Sequence, residues 1–232
     1  MSSEPSLRVA VSMRVDEARG TKSRRDGLAH EWMSRLRAWN VTPFLVPNTW
    51  PDLEALLNEW DVRAVLLTCG NSPVVDGYTG TDAAPERDRT ERILVDYARA
   101  RDLPVVGTCR GAHILNLCAG GSLSRVSQPG SHLESEHIVH FAPWVGVARG
   151  EVTSDHDLVI ANTDLADELQ GFAWAGDGTV EGFVHAERPW LGVLWHPERE
   201  AARPMRLDGI LARVLAGDRP WEKTRGDRRW HP

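Results

Sequence analysis

Apolar and polar positions along this chain switch between two periods. Short, largely apolar runs occur at Leu7–Met13, Thr42–Val46, Val62–Thr68 and Pro104–Gly107. Runs this short, rich in β-branched residues, predict buried strands. Between them the period lengthens. Over 26–39, Leu28, Trp32, Leu36 and Trp39 recur at helical spacing and predict a helix with one buried face. A short helix is predicted from Asp52 to Trp60. A longer one is predicted from Arg87 to Arg101, with Ile93, Leu94, Tyr97 and Ala98 facing inward. Strand and helix alternate at a spacing that implies right-handed crossovers, hence an α/β chain with a mostly parallel central sheet flanked by helices. In such sheets functional groups collect at the carboxyl ends of strands. The stretches 14–25, 69–86 and 108–111 each follow a strand and are expected as loops at one edge.

The second half is richer in strands. His137–Ala148, Glu151–Thr153, Phe172–Ala175, Val180–His185 and Leu191–Leu194 are the candidates, and Gly176-Asp177-Gly178 reads as a hairpin turn. Met205–Ala216 predicts a closing helix. No repeat, low-complexity tract or linker divides the chain. A single domain over 1–232 is expected, with its core at about 7–217 and a charged, peripheral tail at 218–232.

Composition narrows the function classes. The 232 residues are 41% apolar and 26% charged, with a formal net charge of −6. No basic stripe dominates, which argues against a general nucleic-acid binder. The one dense basic run, Lys22, Arg24 and Arg25, reads first as a solvated loop. Three cysteines, Cys69, Cys109 and Cys118, are too few and odd in number for a disulfide framework and suggest a reducing compartment. The first residues lack the basic and apolar regions of a signal peptide, and no apolar run nears the roughly 18 residues of a membrane span. A cytoplasmic protein is expected. Most of the ten tryptophans are expected in core or cleft packing.

The chemistry concentrates in two strings. The first is Gly107-Thr-Cys109-Arg-Gly111, where a predicted strand meets a predicted helix (Ala112–Ala119). Glycines two residues either side of the thiol allow close chain approach and a strained turn. A helix N-terminus favours the thiolate through the positive end of its dipole. The second string is Gly192-Val-Leu-Trp-His196-Pro-Glu198. A thiol nucleophile needs a base to take and return its proton, and that base needs an acceptor on its other ring nitrogen. His196 and Glu198 supply both groups, with Pro197 stiffening the link. Cys118 reads as helix core. His132, His137 and His140 have ligand-like spacing, but no cysteine or carboxylate set completes a tetrahedral pattern, and no metal is expected. A P-loop and a dinucleotide glycine fingerprint are absent, so neither ATP nor NAD nor another cofactor is expected.

The cysteine turn paired with the later Trp-His-Pro-Glu resembles the class I glutamine amidotransferases. Cys109-Arg110-Gly111 and the preceding Arg87-Asp-x-x-Glu91 are similar to the free-standing γ-glutamyl hydrolase branch, peptidase C26, which includes γ-glutamyl-γ-aminobutyrate hydrolase. Val11-Ser-Met-Arg14 and Arg25-Asp-Gly-Leu-Ala-His-Glu-Trp32 look closest to the γ-glutamyl-CDP-amidate hydrolases. The resemblance runs from about Leu7 to Glu200. It implies a flavodoxin-like fold and cysteine-dependent hydrolysis of a γ-glutamyl amide through a thioester. It also implies an oxyanion hole made by the backbone N–H groups of Arg110 and Gly70. The family usually has Gly-Gly where this chain has Cys69-Gly70, and Cys69 reads as structural. His113 stands where glutamine amidotransferases commonly carry a glutamine that helps hold the glutamyl group. His113, Asn71 and His156 are therefore substrate-binding candidates, the last within Val152-Thr-Ser-Asp-His156. Arg14 and Arg25 are candidates to hold a phosphate by forked hydrogen bonds. The implied partners are a small-molecule γ-glutamyl substrate and, among proteins, a second copy of the chain or a synthetase fed with ammonia; neither nucleic acid nor membrane is expected.

Overall fold

The computed structural model describes residues 6–18, 20, 23–75, 79–126, 132–133, 135–199 and 206–222. Thirteen strands and five α-helices occur among them. The first half runs β1 (Leu7–Ser12), β2 (Arg14–Glu17), β3 (Arg24–Gly27), α1 (Glu31–Ala38), β4 (Val41–Val46), α2 (Leu53–Glu59), β5 (Ala64–Leu67), α3 (Pro85–Arg101), β6 (Val105–Thr108) and α4 (Arg110–Cys118). The second half runs β7 (Ser124–Arg125), β8 (Ser135–Phe141), β9 (Arg149–Ser154), β10 (Leu158–Val159), β11 (Leu169–Ala175), β12 (Val180–His185), β13 (Trp190–Val193) and α5 (Arg206–Leu215).

Nine strands form one sheet in the order β4-β1-β5-β6-β13-β12-β11-β8-β9. The first five pair in parallel. From β13 onward the pairing is antiparallel. β5 and β6 are buried at every residue, as strands covered on both faces must be. Trp32 and Leu36 of α1 and Leu94, Val95 and Ala98 of α3 join them in one hydrophobic core. Burying a large apolar side chain of this kind is worth about 1.5–3 kcal/mol.

Several boundaries depart from the sequence expectation. Residues 14–25 are not a plain loop: β2 and β3 form an antiparallel hairpin. The helix expected from 26 therefore begins at Glu31. Asp26 is held in the hairpin because its carboxylate accepts from the Asn48 N–H at 2.9 Å and from Asn48 Nδ2 at 2.7 Å. β8 stops at Phe141, short of Ala148, because Pro143 has no N–H for a ladder and the chain turns through a 3-10 segment at Pro143–Val145. On α3, Ile93 is only half-buried, while Val95 is fully buried. Trp221 lies beyond the expected core boundary at 217, yet it is buried and its indole donates to the His185 carbonyl at 3.2 Å. Residues 223–232 lie outside the described residues.

Candidate active site

β6 ends between β5 and β13, and the chain turns sharply at Cys109, with φ 49° and ψ −114°. A non-glycine residue in that region costs about 1–3 kcal/mol and persists only where its surroundings hold it. The Cys109 N–H donates to the Val193 carbonyl at 2.7 Å, and the Cys109 carbonyl accepts from Ala112 N at 2.9 Å and His113 N at 3.2 Å. The flanking glycines serve closeness of approach. A Cβ on Gly107 would sit 2.6 Å from the Gly111 carbonyl oxygen, and one on Gly111 would sit 2.2 Å from the Leu67 carbonyl oxygen. The strained residue is the cysteine itself. Its sulfur lies 3.9 Å from the Asp155 carbonyl oxygen.

His196 and Glu198 follow β13, the parallel neighbour of β6. His196 Nδ1 lies 2.7 Å from Glu198 Oε1. The His196 N–H donates to the Thr153 carbonyl at 3.2 Å, and the buried Arg35 donates to the Pro197 carbonyl at 2.5 Å, so the turn is fixed from two sides. His196 Nε2 has no hydrogen-bond partner among the described residues. Burial opposes charge on this ring, but the nearby Cys109 sulfur, with Cys69 and Glu198, outweighs it and holds the imidazole protonated far above its ordinary value. Burial likewise opposes charge on Glu198, but His196 prevails and keeps the carboxyl below its ordinary value.

The loop after β5 is clamped from beneath by Arg87, which is fully buried on α3. Its guanidinium donates to the carbonyls of Thr68 at 2.7 Å, of Cys69 at 3.0 Å, and of Gly70. Peptide planarity turns the N–H on the far side of each such carbonyl away from Arg87. The Gly70 N–H is so turned, and Gly70 lines the cavity. Burial lowers Arg87 to about 10, which leaves it charged at neutral pH. Glu91 accepts from Arg87 Nε at 2.9 Å, and its other oxygen accepts from Arg110, which also donates to Asp88. A buried row of alternating charge thus joins the loop after β5 to the first residue of α4. The first N–H groups of that helix, at Arg110 and Gly111, have no acceptor within it.

These elements enclose a cavity of about 630 Å³. The fold brings Cys109, His196, Glu198, Gly70 and Arg110 to it together. His113 and His156 form one wall, their ring centroids 5.8 Å apart. Burial lowers His113 to about 3, so it is neutral, and its Nε2 has no partner among the described residues. His156 is fixed by Nδ1, 2.8 Å from the Leu158 carbonyl oxygen. Arg14 stands at the rim. Arg25 does not: it is exposed on β3 and lines no part of the cavity. Asn71 reaches the cavity, but its side chain is committed elsewhere. Its Oδ1 accepts from Val15 N at 2.8 Å, and its Nδ2 donates to the Val15 and Asp82 carbonyls at 2.9 and 3.0 Å. Lys22 lies outside the described residues.

Two residues gain parts that their sequence positions did not indicate. Cys69, read as structural, donates its thiol to Glu198 Oε1 at 3.0 Å, the oxygen that also faces His196. Arg87 is the clamp described above. The string Arg87-Asp-x-x-Glu91 carried the family resemblance, but neither its ion pair nor its target carbonyls could be read from it.

The family model for peptidase C26 matches residues 9–198. A putative glutamine amidotransferase of Schizosaccharomyces pombe is 33% identical over 163 residues, covering 60% of this chain and 62% of that protein. A γ-glutamyl-CDP-amidate hydrolase of Campylobacter jejuni is 28% identical over 139 residues, covering 60% of this chain and 64% of that one. The chain thus spans just under two thirds of the length of these relatives. The crystal structure of a putative GMP synthase subunit from Thermoplasma acidophilum superposes with a TM-score of 0.67 at 20% identity, covering 97% of this chain and 100% of that one. That likeness supports the class I glutamine amidotransferase fold. Among the described residues, no helix is long and apolar enough to cross a membrane.

Proposed function

The chain belongs to the peptidase C26 family, and from that membership we propose that it hydrolyses γ-glutamyl amide bonds with Cys109 as nucleophile. One observation carries most weight: a thiol on the strained turn after β6 and an imidazole–carboxylate pair after β13 end neighbouring parallel strands and share one cavity. The Cys109 thiolate attacks the γ-carbonyl carbon. The carbonyl oxygen takes up negative charge and is met by the N–H groups of Gly70 and Arg110. Preorganised donors of this kind are each worth about 100- to 1000-fold in rate. As the intermediate collapses, the carbon–nitrogen bond breaks, and His196 protonates the departing nitrogen. A glutamyl thioester remains. His196, now neutral, takes a proton from water, and the resulting hydroxide attacks the thioester carbonyl. Glutamate leaves, and the sulfur regains its electron pair. Glu198 holds the ring in the orientation that points Nε2 at the sulfur.

For the leaving group, the substrate favoured is a γ-glutamyl nucleotide phosphoramidate. Arg14 at the cavity rim supports this, as does the likeness to the Campylobacter jejuni enzyme. His113, neutral and with a free ring nitrogen, is the contact for the glutamyl half. The test is glutamate release from a panel of γ-glutamyl amides, with and without phosphate on the leaving group, by the parent and by Cys109→Ala. The variant should lose activity by about 10⁴-fold or more while keeping its melting temperature. Parent-like turnover in Cys109→Ala would sink the mechanism. Free glutamine turned over best, and faster beside a co-purifying synthetase, would instead assign an ammonia-supplying subunit.

A further inference from the structure

Behind the cavity wall, the fold assembles a second cluster that the reaction above does not use. Glu181 of β12 is wholly buried, and neither of its carboxylate oxygens has a hydrogen-bond partner among the described residues. Three imidazoles converge on its Oε1: His132 Nδ1 at 3.2 Å, His137 Nε2 at 3.6 Å and His156 Nε2 at 3.6 Å. The sequence pattern showed His132 and His137 but lacked the carboxylate. The fold supplies Glu181 and exchanges the expected His140 for His156.

We propose that His132, His156 and Glu181 form a site for a divalent transition metal of the zinc type, with His137 at its edge. Three features point there. First, the spacings are too long for charge-assisted hydrogen bonds, which run about 2.7–2.9 Å. The His132 and His156 spacings from Glu181 lie near the edge of a ligand tetrahedron, about 3.3–3.4 Å for donors about 2.0–2.1 Å from a central ion. Second, two of the histidines are oriented as metal ligands are, with the far ring nitrogen held by an acceptor. His132 Nε2 lies 2.9 Å from Asp177 Oδ2, and His156 Nδ1 lies 2.8 Å from the Leu158 carbonyl oxygen. With the protons on those outer nitrogens, the inner nitrogens present lone pairs toward the carboxylate, an arrangement that calls for a cation between them. Third, the donor set is two imidazoles and one carboxylate, which suits zinc better than calcium or magnesium.

The site stands behind the cavity wall rather than in the reacting space: neither His132 nor Glu181 lines the cavity. Its consequence is local. His156 is at once a ligand and part of the cavity wall, and the adjacent Asp155 carbonyl faces the Cys109 sulfur. The ion fixes that wall.

The test uses the whole chain, stripped with a chelator and titrated with zinc. Cys69, His196 and Glu198 also lie close enough together to trap zinc, so the titration is run on a Cys69→Ala, Cys109→Ala background as well as on the parent. One zinc per chain is expected in both, with X-ray absorption showing nitrogen and oxygen ligands at about 2.0–2.1 Å and no sulfur at about 2.3 Å. Glu181→Gln should weaken binding by 100-fold or more. Where that variant does not fold, Asp177→Asn decides: Asp177 is partly exposed, and its loss should weaken binding about 10- to 100-fold. Binding lost on the Cys69→Ala, Cys109→Ala background, sulfur in the ligand shell, or affinity unchanged in Asp177→Asn would each overturn the proposal.

Discussion

Adding one methyl group at Gly111 should disarm the site without touching any reacting atom. A Cβ there would lie 2.2 Å from the Leu67 carbonyl oxygen and 2.6 Å from its carbon, both backbone atoms of a central strand. Ordinary contact needs about 3.5 Å. α4 must therefore withdraw from β5 by roughly 1.3 Å, and it carries Cys109 and the Arg110 N–H with it. A displacement of about 1 Å at reacting groups costs about 100-fold in rate, or about 2.7 kcal/mol of barrier. Overpacking of this kind costs about 1–3 kcal/mol of stability. In a chain of this size that is a fall of roughly 2–12 °C in melting temperature. The assay is kcat/KM on γ-glutamyl-p-nitroanilide, alongside the iodoacetamide labelling rate of Cys109 read by mass spectrometry and a calorimetric melt. Gly209→Ala is the control, because a Cβ at that helical position meets nothing within 4 Å. The control should keep its activity and gain up to about 1 kcal/mol of stability. Parent-like kcat/KM and labelling in Gly111→Ala would refute the close-approach reasoning.

Two further outcomes follow from the same geometry. Glu198→Gln removes a carboxylate held below its ordinary 4.5 beside an imidazole held above its ordinary 6.5. A lowered acid stabilises above its unfolded pKa and loses that contribution as pH falls through its folded one. A raised base stabilises fully below its unfolded pKa and loses its contribution as pH rises through the folded one. The variant's stability deficit should therefore peak between about pH 4.5 and 6.5 and shrink on acidification; denaturant melts showing the deficit growing toward pH 3 would contradict this. Arg14→Ala should raise KM for a phosphorylated leaving group about 10-fold and leave the unphosphorylated amide unchanged, while Arg25→Ala should do neither, since only Arg14 lines the cavity. Equal effects of the two substitutions would remove the phosphate assignment.

The centre of the parallel half was legible because β5 and β6 are buried on both faces and read as apolar runs, Ala64–Leu67 above all. The β2–β3 hairpin was not. Arg24-Arg25-Asp26-Gly27 carries no apolar period, and its conformation is set from outside, by Asn71 on Val15 and Asn48 on Asp26. Trp221 was hidden for a similar reason, as one apolar residue in a charged stretch. At the site, the cysteine turn was readable because strand, glycines and helix are contiguous. The contact of Cys69 with Glu198 joins residues 129 positions apart and left no local trace. Arg25 reads with its neighbours as part of the site edge, but β3 is exposed along Arg24, Arg25 and Asp26, and the cavity lies elsewhere.

The adjacency of β6 and β13 also orders events during synthesis. Cys109 is complete on its turn once α4 exists, yet the base proposed for it, His196, follows a strand that comes after six others in sequence, from β7 to β12. Those strands must pair among themselves, and β13 must insert beside β6, before His196 reaches the sulfur. Long-range parallel pairing is among the slower steps of folding. A nascent chain halted after α4 carries an unassisted thiol. The protein is thus armed last, and its reactivity reports that the whole sheet has closed.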